Sequence, residues 1–285
     1  MSGPLLVTGA SGYLGRALLA SSEPPVIATR LSSAEAAGPA LEWLRVDVRD
    51  AGAVEELFER VRPAAVIHTA YLQKGPDAWD TNVTGSANVA AAASRAGARL
   101  VHVSTDVVFD GGGTRPYRED DEPVPVSEYG RSKLASERAA QAAHRDALIV
   151  RTSLMIGGAE PGPQERLVAA AAAGDPDIEF FDDEWRSPVL VDDLAAALVE
   201  LAQRPESGLL HLGGPEAVSR FELAGAIAAA HGLPAERLRR GRLAGSGLER
   251  PAYCVLDSSR ARALLRTPIR GVSELDPLAA GQARP

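Results

Sequence analysis

A tyrosine and a lysine, Tyr129 and Lys133, stand four residues apart in the run Tyr-Gly-Arg-Ser-Lys. If a helix begins near Tyr129, the two side chains lie one turn apart on the same face. A phenol has an ordinary pKa of about 10, and a neighbouring ammonium group lowers that pKa because it favours the phenolate. The pair therefore predicts a proton donor for a carbonyl oxygen whose carbon receives a hydride. The alternative is a tyrosine and a lysine exposed on an amphipathic helix.

Another polar run, Ser104-Thr105-Asp106, ends a predicted apolar strand upstream of this pair. Open parallel sheets bind their ligands at the carboxyl ends of the strands. We therefore expect Thr105 to share the substrate's carbonyl oxygen with Tyr129. The alternative is a strand-end hydroxyl that only satisfies backbone groups.

The elements that must position these residues begin with an apolar strand at 5–8, which is followed by Gly9, Gly12 and Gly15. A strand that runs through a glycine turn into a helix offers unpaired N–H groups and a partial positive charge to phosphates. The spacing is Gly-x-x-Gly-x-x-Gly rather than Gly-x-Gly-x-x-Gly. Its place directly after a strand favours a nucleotide site over a surface turn.

Apolar strands alternate with helices through the first half of the chain. This alternation predicts a Rossmann-type doubly wound parallel sheet in an α/β fold. Residues 1–155 are expected to form a dinucleotide-binding domain, to which segments near 189–213 return, and residues 156–285 mostly a smaller α/β substrate-binding lobe. The strands are predicted at 5–8, 26–29, 43–46, 65–68, 100–104 and 147–151, and an alanine-rich helix at 82–96.

The composition limits which kinds of partner, disulfide, membrane segment and metal site are expected. The 285 residues carry a net charge of -8, which disfavours a nucleic acid or an acidic membrane surface. The lone cysteine, Cys254, can form no internal disulfide. No apolar run reaches membrane-spanning length and no signal segment precedes the first strand, so a cytoplasmic location is expected. The acidic run at 119–122 is interpreted as a solvated loop, and no metal site is predicted.

Arg30 ends the predicted second strand, and no acidic residue lies near it. An acid at this place would bind a ribose 2′-hydroxyl, whereas an arginine suits a 2′-phosphate. The residue therefore predicts NADP(H) as the preferred cofactor, with NAD(H) also possible. The alternative is an ordinary exposed arginine.

Four motifs occur in order: Thr-Gly-Ala-Ser-Gly-Tyr-Leu-Gly, Ser-Thr-Asp-Val-Val-Phe-Asp-Gly, Tyr-Gly-Arg-Ser-Lys and Arg-Thr-Ser. Together they resemble the extended short-chain dehydrogenase/reductase superfamily, and within it they are most similar to the dTDP-4-dehydrorhamnose reductase group. The resemblance is dense over residues 5–155 and continues to about residue 270. It implies NADPH-dependent reduction of a 4-keto-6-deoxy sugar nucleotide.

The resemblance also implies site residues. Thr105, Tyr129 and Lys133 would form the catalytic triad. Asp47 and Val48 would flank the adenine, and Asn82 would lie in the helix behind the nicotinamide. Asp47 could instead cap the following turn, and Asn82 could cap a helix. The residues implied or predicted to bind the cofactor are Gly9, Ser11, Gly12, Tyr13, Leu14, Arg30, Asp47, Val48, Thr69, Ala70, Tyr71, Asn82, Ser104, Tyr129 and Lys133.

The substrate is expected to contact Thr105 and Asp106, with Arg186 and Arg250 as candidate contacts for an anionic group. The chain departs from the rhamnose reductases at two positions. Val107 stands where they carry a tyrosine, and Leu154 follows Arg-Thr-Ser, where they commonly carry an aromatic residue. Another carbonyl substrate, an epimerase reaction and an NADP-binding regulatory subunit therefore stay open. A second copy of the chain is a further partner to be considered.

Overall fold

The computed structural model describes residues 3–23, 25–31 and 42–275. The strands are β1 (Leu5–Thr8), β2 (Val26–Arg30), β3 (Glu42–Arg45), β4 (Ala65–His68), β5 (Arg99–Thr105), β6 (Leu148–Thr152), β7 (Met155–Ile156), β8 (Phe180–Phe181), β9 (Trp185–Arg186), β10 (Val189–Leu190), β11 (Gly208–Leu212), β12 (Val218–Ser219), β13 (Arg240–Gly241) and β14 (Tyr253–Cys254). The α-helices are α1 (Tyr13–Ser21), α2 (Ala51–Val61), α3 (Ala78–Asn82), α4 (Thr84–Ala96), α5 (Glu128–Ala143), α6 (Pro163–Ala172), α7 (Val191–Ala202), α8 (Arg220–Ala230) and α9 (Ser259–Leu264).

The central element is a seven-stranded sheet in the order β11-β6-β5-β4-β1-β2-β3. Every pair of neighbouring strands in it is parallel. The order runs outward in both directions from β1 and β4, so the carboxyl ends of β1, β4 and β5 meet at the middle of one edge. The predicted Rossmann-type doubly wound fold is confirmed, and this edge is where such sheets bind their ligands.

The sheet is covered on both faces because its strands are apolar at successive positions. Val7 faces the cluster that α1 and α7 cover, which includes Leu18 and Leu198. Leu6 faces the opposite cluster, which includes Phe58 of α2 and Val89 of α4. Successive residues of a strand point to opposite faces, so a strand buried on both sides is apolar throughout.

The second half of the chain contributes to the central sheet with its covering helices and also to a smaller lobe. Helix α7 packs on α1, and β11 joins the sheet beside β6. The remaining elements form short pairings, β10 with β7, β13 with β8, and β12 and β14 on either side of β9. Helices α6 and α8 share a separate apolar cluster with Phe180 and Ile156. This smaller lobe lies against the segment that follows β6.

The helix predicted at 82–96 differs from the one observed. A short helix, α3, precedes it, and the chain changes course at Val83, whose N–H donates to the carbonyl of Trp79. The side chain of Asn82 binds the backbone of Leu72, which fixes the end of α3 against the loop after β4. At the start of α8, Ser219 and Glu222 form a capping box.

None of the helices in the described ranges combines the length and the apolar character that crossing a bilayer requires.

Candidate active site

A cavity of about 270 Å³ lies at the carboxyl edge of the sheet. The turn between β1 and α1, the ends of β4 and β5, the start of α5 and the segment after β6 enclose it. The predicted residues that line it are Gly9, Gly12, Tyr13, Leu14, Thr69, Tyr71, Ser104, Thr105, Asp106, Tyr129 and Lys133. An open groove of about 580 Å³ between α2 and α4 contains none of the predicted site residues.

The turn after β1 has the geometry of a phosphate cradle. Gly9 has a φ of +69°, and a Cβ there would lie 2.7 Å from the backbone of Ala70, so a side chain is excluded. The first hydrogen bond of α1 runs from the N–H of Arg16 to the carbonyl of Gly12. The N–H groups of Tyr13, Leu14 and Gly15 therefore have no partner within the helix and are available to a pyrophosphate. Ser11 is exposed and lies outside the cavity lining.

Arg30 lies at the end of β2, beside this turn. Its guanidinium carbon is 5.8 Å from the centre of the Trp43 ring. Its Nη1 atom is buried, and no described residue accepts a hydrogen bond from it. A buried donor without an acceptor is costly, and a phosphate oxygen would satisfy it. Arg30 and the open turn together fit a phosphorylated dinucleotide.

Asp47 and Val48 lie outside the cavity lining. The carboxylate of Asp47 accepts hydrogen bonds from Arg49, with Nη2 at 2.7 Å, and these bonds hold the pKa of Asp47 below its ordinary value. Val48 is buried in the core beside α4, where Gly85 leaves room for it. Contact of either residue with an adenine ring stays a prediction.

The loop after β4 is held in two places. Thr69 donates from its hydroxyl to the carbonyl of Thr8 at 2.7 Å, which joins β4 to β1 beyond the last ladder pair. Asn82 accepts from the N–H of Leu72 and donates to its carbonyl, both at 2.9 Å. It also donates to the hydroxyl of Ser132 in α5.

Asn82 therefore bridges a loop and a helix, which differs from the sequence expectations for it. It does not line the cavity, so a place directly behind the nicotinamide stays a prediction, and it makes no capping bond. Its amide instead positions the loop that carries Tyr71, whose side chain does reach the cavity. Ala70 belongs to the same loop and packs against the core.

Tyr129 and Lys133 lie on the first turns of α5, as the sequence predicts. Ser127 caps this helix by accepting from the N–H of Gly130. A Cβ at Gly130 would clash with the carbonyl oxygen of Val107, so glycine lets the helix start against the segment after β5. Lys133 donates from Nζ to the carbonyl of Val103 at 2.8 Å. Both functional side chains thus face the carboxyl end of β5.

The pKa values correct one expectation. Burial raises the pKa of Tyr129 well above the ordinary phenol value, and the nearby Tyr71 and Asp106 raise it further. Burial also lowers the pKa of Lys133 to about 8, while Glu137 opposes that shift. The expected lowering of the Tyr129 pKa is therefore wrong for the protein alone, because burial raises that pKa. Tyr129 keeps its proton at neutral pH, which a proton donor requires.

A buried charge pair behind the site was not identified from the sequence. Glu137 accepts from both Nε and Nη2 of Arg151, at 2.9 and 2.7 Å, and the two side chains are almost fully buried. It also accepts the hydroxyl hydrogen bond of Ser104. Glu137 follows Lys133 by four residues, as Lys133 follows Tyr129, so the three share one face of α5. That spacing was the available signal.

The residues after β5 connect the site to the smaller lobe. Thr105 donates from its hydroxyl to Oδ1 of Asp106 at 3.1 Å. Ser153 donates to Oδ2 of Asp106 at 2.6 Å, and Nε of Arg186 lies 3.7 Å from that oxygen. Burial raises the pKa of Asp106, and Arg186 opposes the shift.

Arg186 and Arg250 do not line the cavity. The guanidinium of Arg186 is buried, where it donates to the carbonyls of Trp185 and Pro251 and pairs with Glu184 at 3.1 Å. Arg250 is half exposed, with Nη1 3.9 Å from Glu184. Substrate contact of either arginine stays a prediction.

The acidic run at 119–122 is more than a solvated loop. Glu119 accepts from the N–H of His211 in β11, and Asp121 pairs with Arg115 at 2.7 Å. Across the described ranges, no group of three or more His, Cys, Asp and Glu side chains is placed to hold a metal ion. Cys254 is buried and free.

Comparison with known proteins agrees with this geometry. The dTDP-4-dehydrorhamnose reductase of Mycobacterium tuberculosis H37Rv is 36% identical over 281 residues, which cover 93% of this chain and 88% of that enzyme. Methionine adenosyltransferase 2 subunit beta of Bos taurus is 33% identical over 297 residues, covering 95% and 86% of the two chains. The crystal structure of dTDP-4-dehydrorhamnose reductase from Bacillus anthracis in complex with NADP superposes with a TM-score of 0.82, at 25% identity and 96% and 97% coverage.

The match to the family described as RmlD substrate binding domain extends over residues 3–274, nearly the whole chain. The resemblance inferred from the four motifs is thereby confirmed. The chain belongs to the RmlD substrate binding domain family.

Proposed function

We propose that this chain reduces a 4-keto-6-deoxy sugar nucleotide with NADPH, in the manner of the dTDP-4-dehydrorhamnose reductases to which it is similar. It is an NAD(P)-dependent oxidoreductase. The observation that carries the proposal is that Thr105, Tyr129 and Lys133 line one cavity together with the open glycine turn. A cofactor on that turn would extend toward the end of β5, where the three side chains lie.

Each residue has a defined part in the reaction. The nicotinamide, when bound, supplies hydride to the ketone carbon. Tyr129 donates its phenolic proton to the carbonyl oxygen, which becomes the hydroxyl of the product. Lys133 stabilises the phenolate that remains, because its ammonium charge compensates the new negative charge. Thr105 orients the carbonyl oxygen through its hydroxyl.

The reaction is tested by NADPH oxidation against a panel of nucleotide-linked keto sugars. Reduction consumes one NADPH for each ketone that disappears. An epimerase would convert the sugar with no net consumption of NADPH, so the cofactor balance separates the two reactions. Absence of NADPH oxidation with every sugar of the panel would contradict the reductase proposal.

The preference for NADPH is a separate prediction that rests on Arg30. Its unpartnered Nη1 suits a 2′-phosphate, and the related Bacillus anthracis enzyme was crystallised with NADP. We expect Arg30→Gln to raise KM for NADPH about tenfold or more while it changes KM for NADH little. Arg60→Gln, a change at an exposed arginine of α2, serves as the matched control. A wild-type preference for NADH would contradict the prediction.

A second candidate is an NADP-binding regulatory subunit. The similarity to methionine adenosyltransferase 2 subunit beta favours it, since that relative covers 95% of the chain. The three intact catalytic side chains favour the enzyme instead. The regulatory function would be supported if the protein binds NADPH but turns over no keto sugar, and if Tyr129→Phe leaves NADPH binding unchanged.

A further inference from the structure

Three arginines of the smaller lobe converge on one glutamate. Arg186, Arg220 and Arg250 all interact electrostatically with Glu184, and Asp106 is the other carboxylate nearby. Arg220 opens α8 and donates from its backbone N–H to the carbonyl of Glu184 at 2.8 Å. The cluster therefore holds three guanidinium groups against two carboxylates, so positive charge is in excess.

The excess is concentrated on Arg220. Its Nη1 atom is buried, and no described residue accepts a hydrogen bond from it. Arg186, in contrast, uses its donors on Trp185, Pro251 and Glu184. Burial, opposed by Glu184 and assisted by Arg186 and Arg250, lowers the pKa of Arg220 to about 10. A buried cation without an acceptor is costly, and an oxyanion would relieve that cost.

The cluster is open to a ligand on one side. Arg220 is partly exposed as a whole, and Arg250 is 53% exposed with its guanidinium near Glu184. On its inner side the cluster reaches the cavity through Arg186 and Asp106, and Asp106 lines that cavity. An anionic group held at Arg220 and Arg250 would therefore be separated from the cavity lining by Arg186, which faces Asp106.

We propose that Arg220, together with Arg250, binds a phosphate oxyanion of the substrate, while Glu184 keeps Arg186 occupied in a positioning role. This assignment rests on the proposed reductase function and differs in part from the sequence expectation, which gave the anion contact to Arg186 and Arg250. Glu184 competes with the ligand, because its Oε2 atom lies 3.9 Å from Nη1 of Arg250 and accepts no hydrogen bond from a described residue.

The test is calorimetric titration of the NADP⁺-saturated protein with dTDP, pyrophosphate and thymidine. Saturation blocks the cofactor's own phosphate sites. We expect Arg220→Gln to weaken dTDP and pyrophosphate about 10- to 100-fold, because a charge-assisted hydrogen bond is lost, and to leave thymidine unchanged. The affinity of Arg220→Lys for dTDP should lie between those of the wild type and Arg220→Gln. Glu184→Gln should bind dTDP at least as tightly as the wild type. Arg95→Gln, at an exposed arginine of α4, is the control.

The outcomes separate this inference from the reductase proposal, since the titration involves no turnover. Wild-type affinity of Arg220→Gln for dTDP, with its thermal melting unchanged, would overturn the oxyanion site even if NADPH oxidation is observed. Weakened binding in a protein that oxidises no NADPH would support the site and reject the reductase. Equal binding of pyrophosphate and dTDP, with the same dependence on Arg220, supports the oxyanion site and assigns its affinity to phosphate alone.

Discussion

Tyr129 is the residue on which the proposed proton transfer depends, because burial keeps its phenol protonated. Tyr129→Phe keeps the ring beside Tyr71, 5.9 Å away between ring centres, and removes only the hydroxyl. We expect kcat to fall about 10²- to 10⁴-fold, the range that general acid catalysis supplies. The Kd for NADPH should change less than about twofold, since the glycine turn is untouched. Tyr253→Phe, outside the cavity lining, is the control, and unchanged kcat in Tyr129→Phe would refute the mechanism.

Lys133 makes the activity depend on pH. Its pKa of about 8 means that the ammonium form, which stabilises the phenolate, is lost as the pH rises through that value. We therefore expect kcat/KM to be high below pH 8 and to fall above it. The chain has two lysines, Lys74 and Lys133, so ¹³C NMR of labelled lysine can follow the titration directly. Lys74→Met assigns the signals, and a Lys133 midpoint near 10.5 would contradict the expectation.

At the scale of the element, α5 contributes Glu137 to the site in addition to Tyr129 and Lys133. Glu137 joins α5 to β6 through Arg151 and to β5 through Ser104, and its charge supports the ammonium of Lys133. Glu137→Gln leaves Arg151 as a buried cation without its counter-charge, which costs about 3–5 kcal/mol of the free energy of unfolding. The fall of kcat/KM with pH should also begin at lower pH, because Lys133 loses a favourable neighbour.

Stability and catalysis can be separated with a double variant. Glu137→Leu with Arg151→Met replaces the buried pair by apolar side chains and should recover much of the lost stability, measured by denaturant unfolding. The shifted pH profile should persist, since the carboxylate near Lys133 is still absent. Recovery of the wild-type pH profile would show that Glu137 acts through stability alone.

The elements that the sequence predicts well are those whose signal is local. The apolar strands and the glycine turn depend on near neighbours, and the spacing of Tyr129 and Lys133 is set by the helix itself. The break at Val83 and the bridge made by Asn82 depend on a loop ten residues away along the chain. Arg186 donates to the carbonyl of Pro251, which is even farther along the chain, so its residue type alone could not show this contact.

At the scale of the whole molecule, the segment between β7 and α6 contacts the start of α1 beside the cavity. The segment at 157–162 precedes α6 and lies across the start of α1. The hydroxyl of Tyr13 donates to the carbonyl of Gly157, and Gly162 leaves room for the Tyr13 ring. Arg16 and Glu160 form an outer ion pair at 3.3 Å. Because Tyr13 lines the cavity, this segment lies next to the place where we expect the cofactor to bind.

Tyr13 is therefore expected to control release of the cofactor. Tyr13→Phe keeps the ring against Gly162 and removes one part-buried hydrogen bond, which contributes about 0.5–1.5 kcal/mol. The dissociation rate of NADPH, measured by stopped-flow fluorescence, should rise about 2- to 10-fold while the pH profile of the reaction stays unchanged. Glu160→Gln is the matched control: it removes the outer ion pair, in which both side chains are exposed, at 44% and 69%, so it should change the rate less than about twofold. Equal rates for both variants would mean that the segment is not held by Tyr13, and that cofactor release is set by the glycine turn itself.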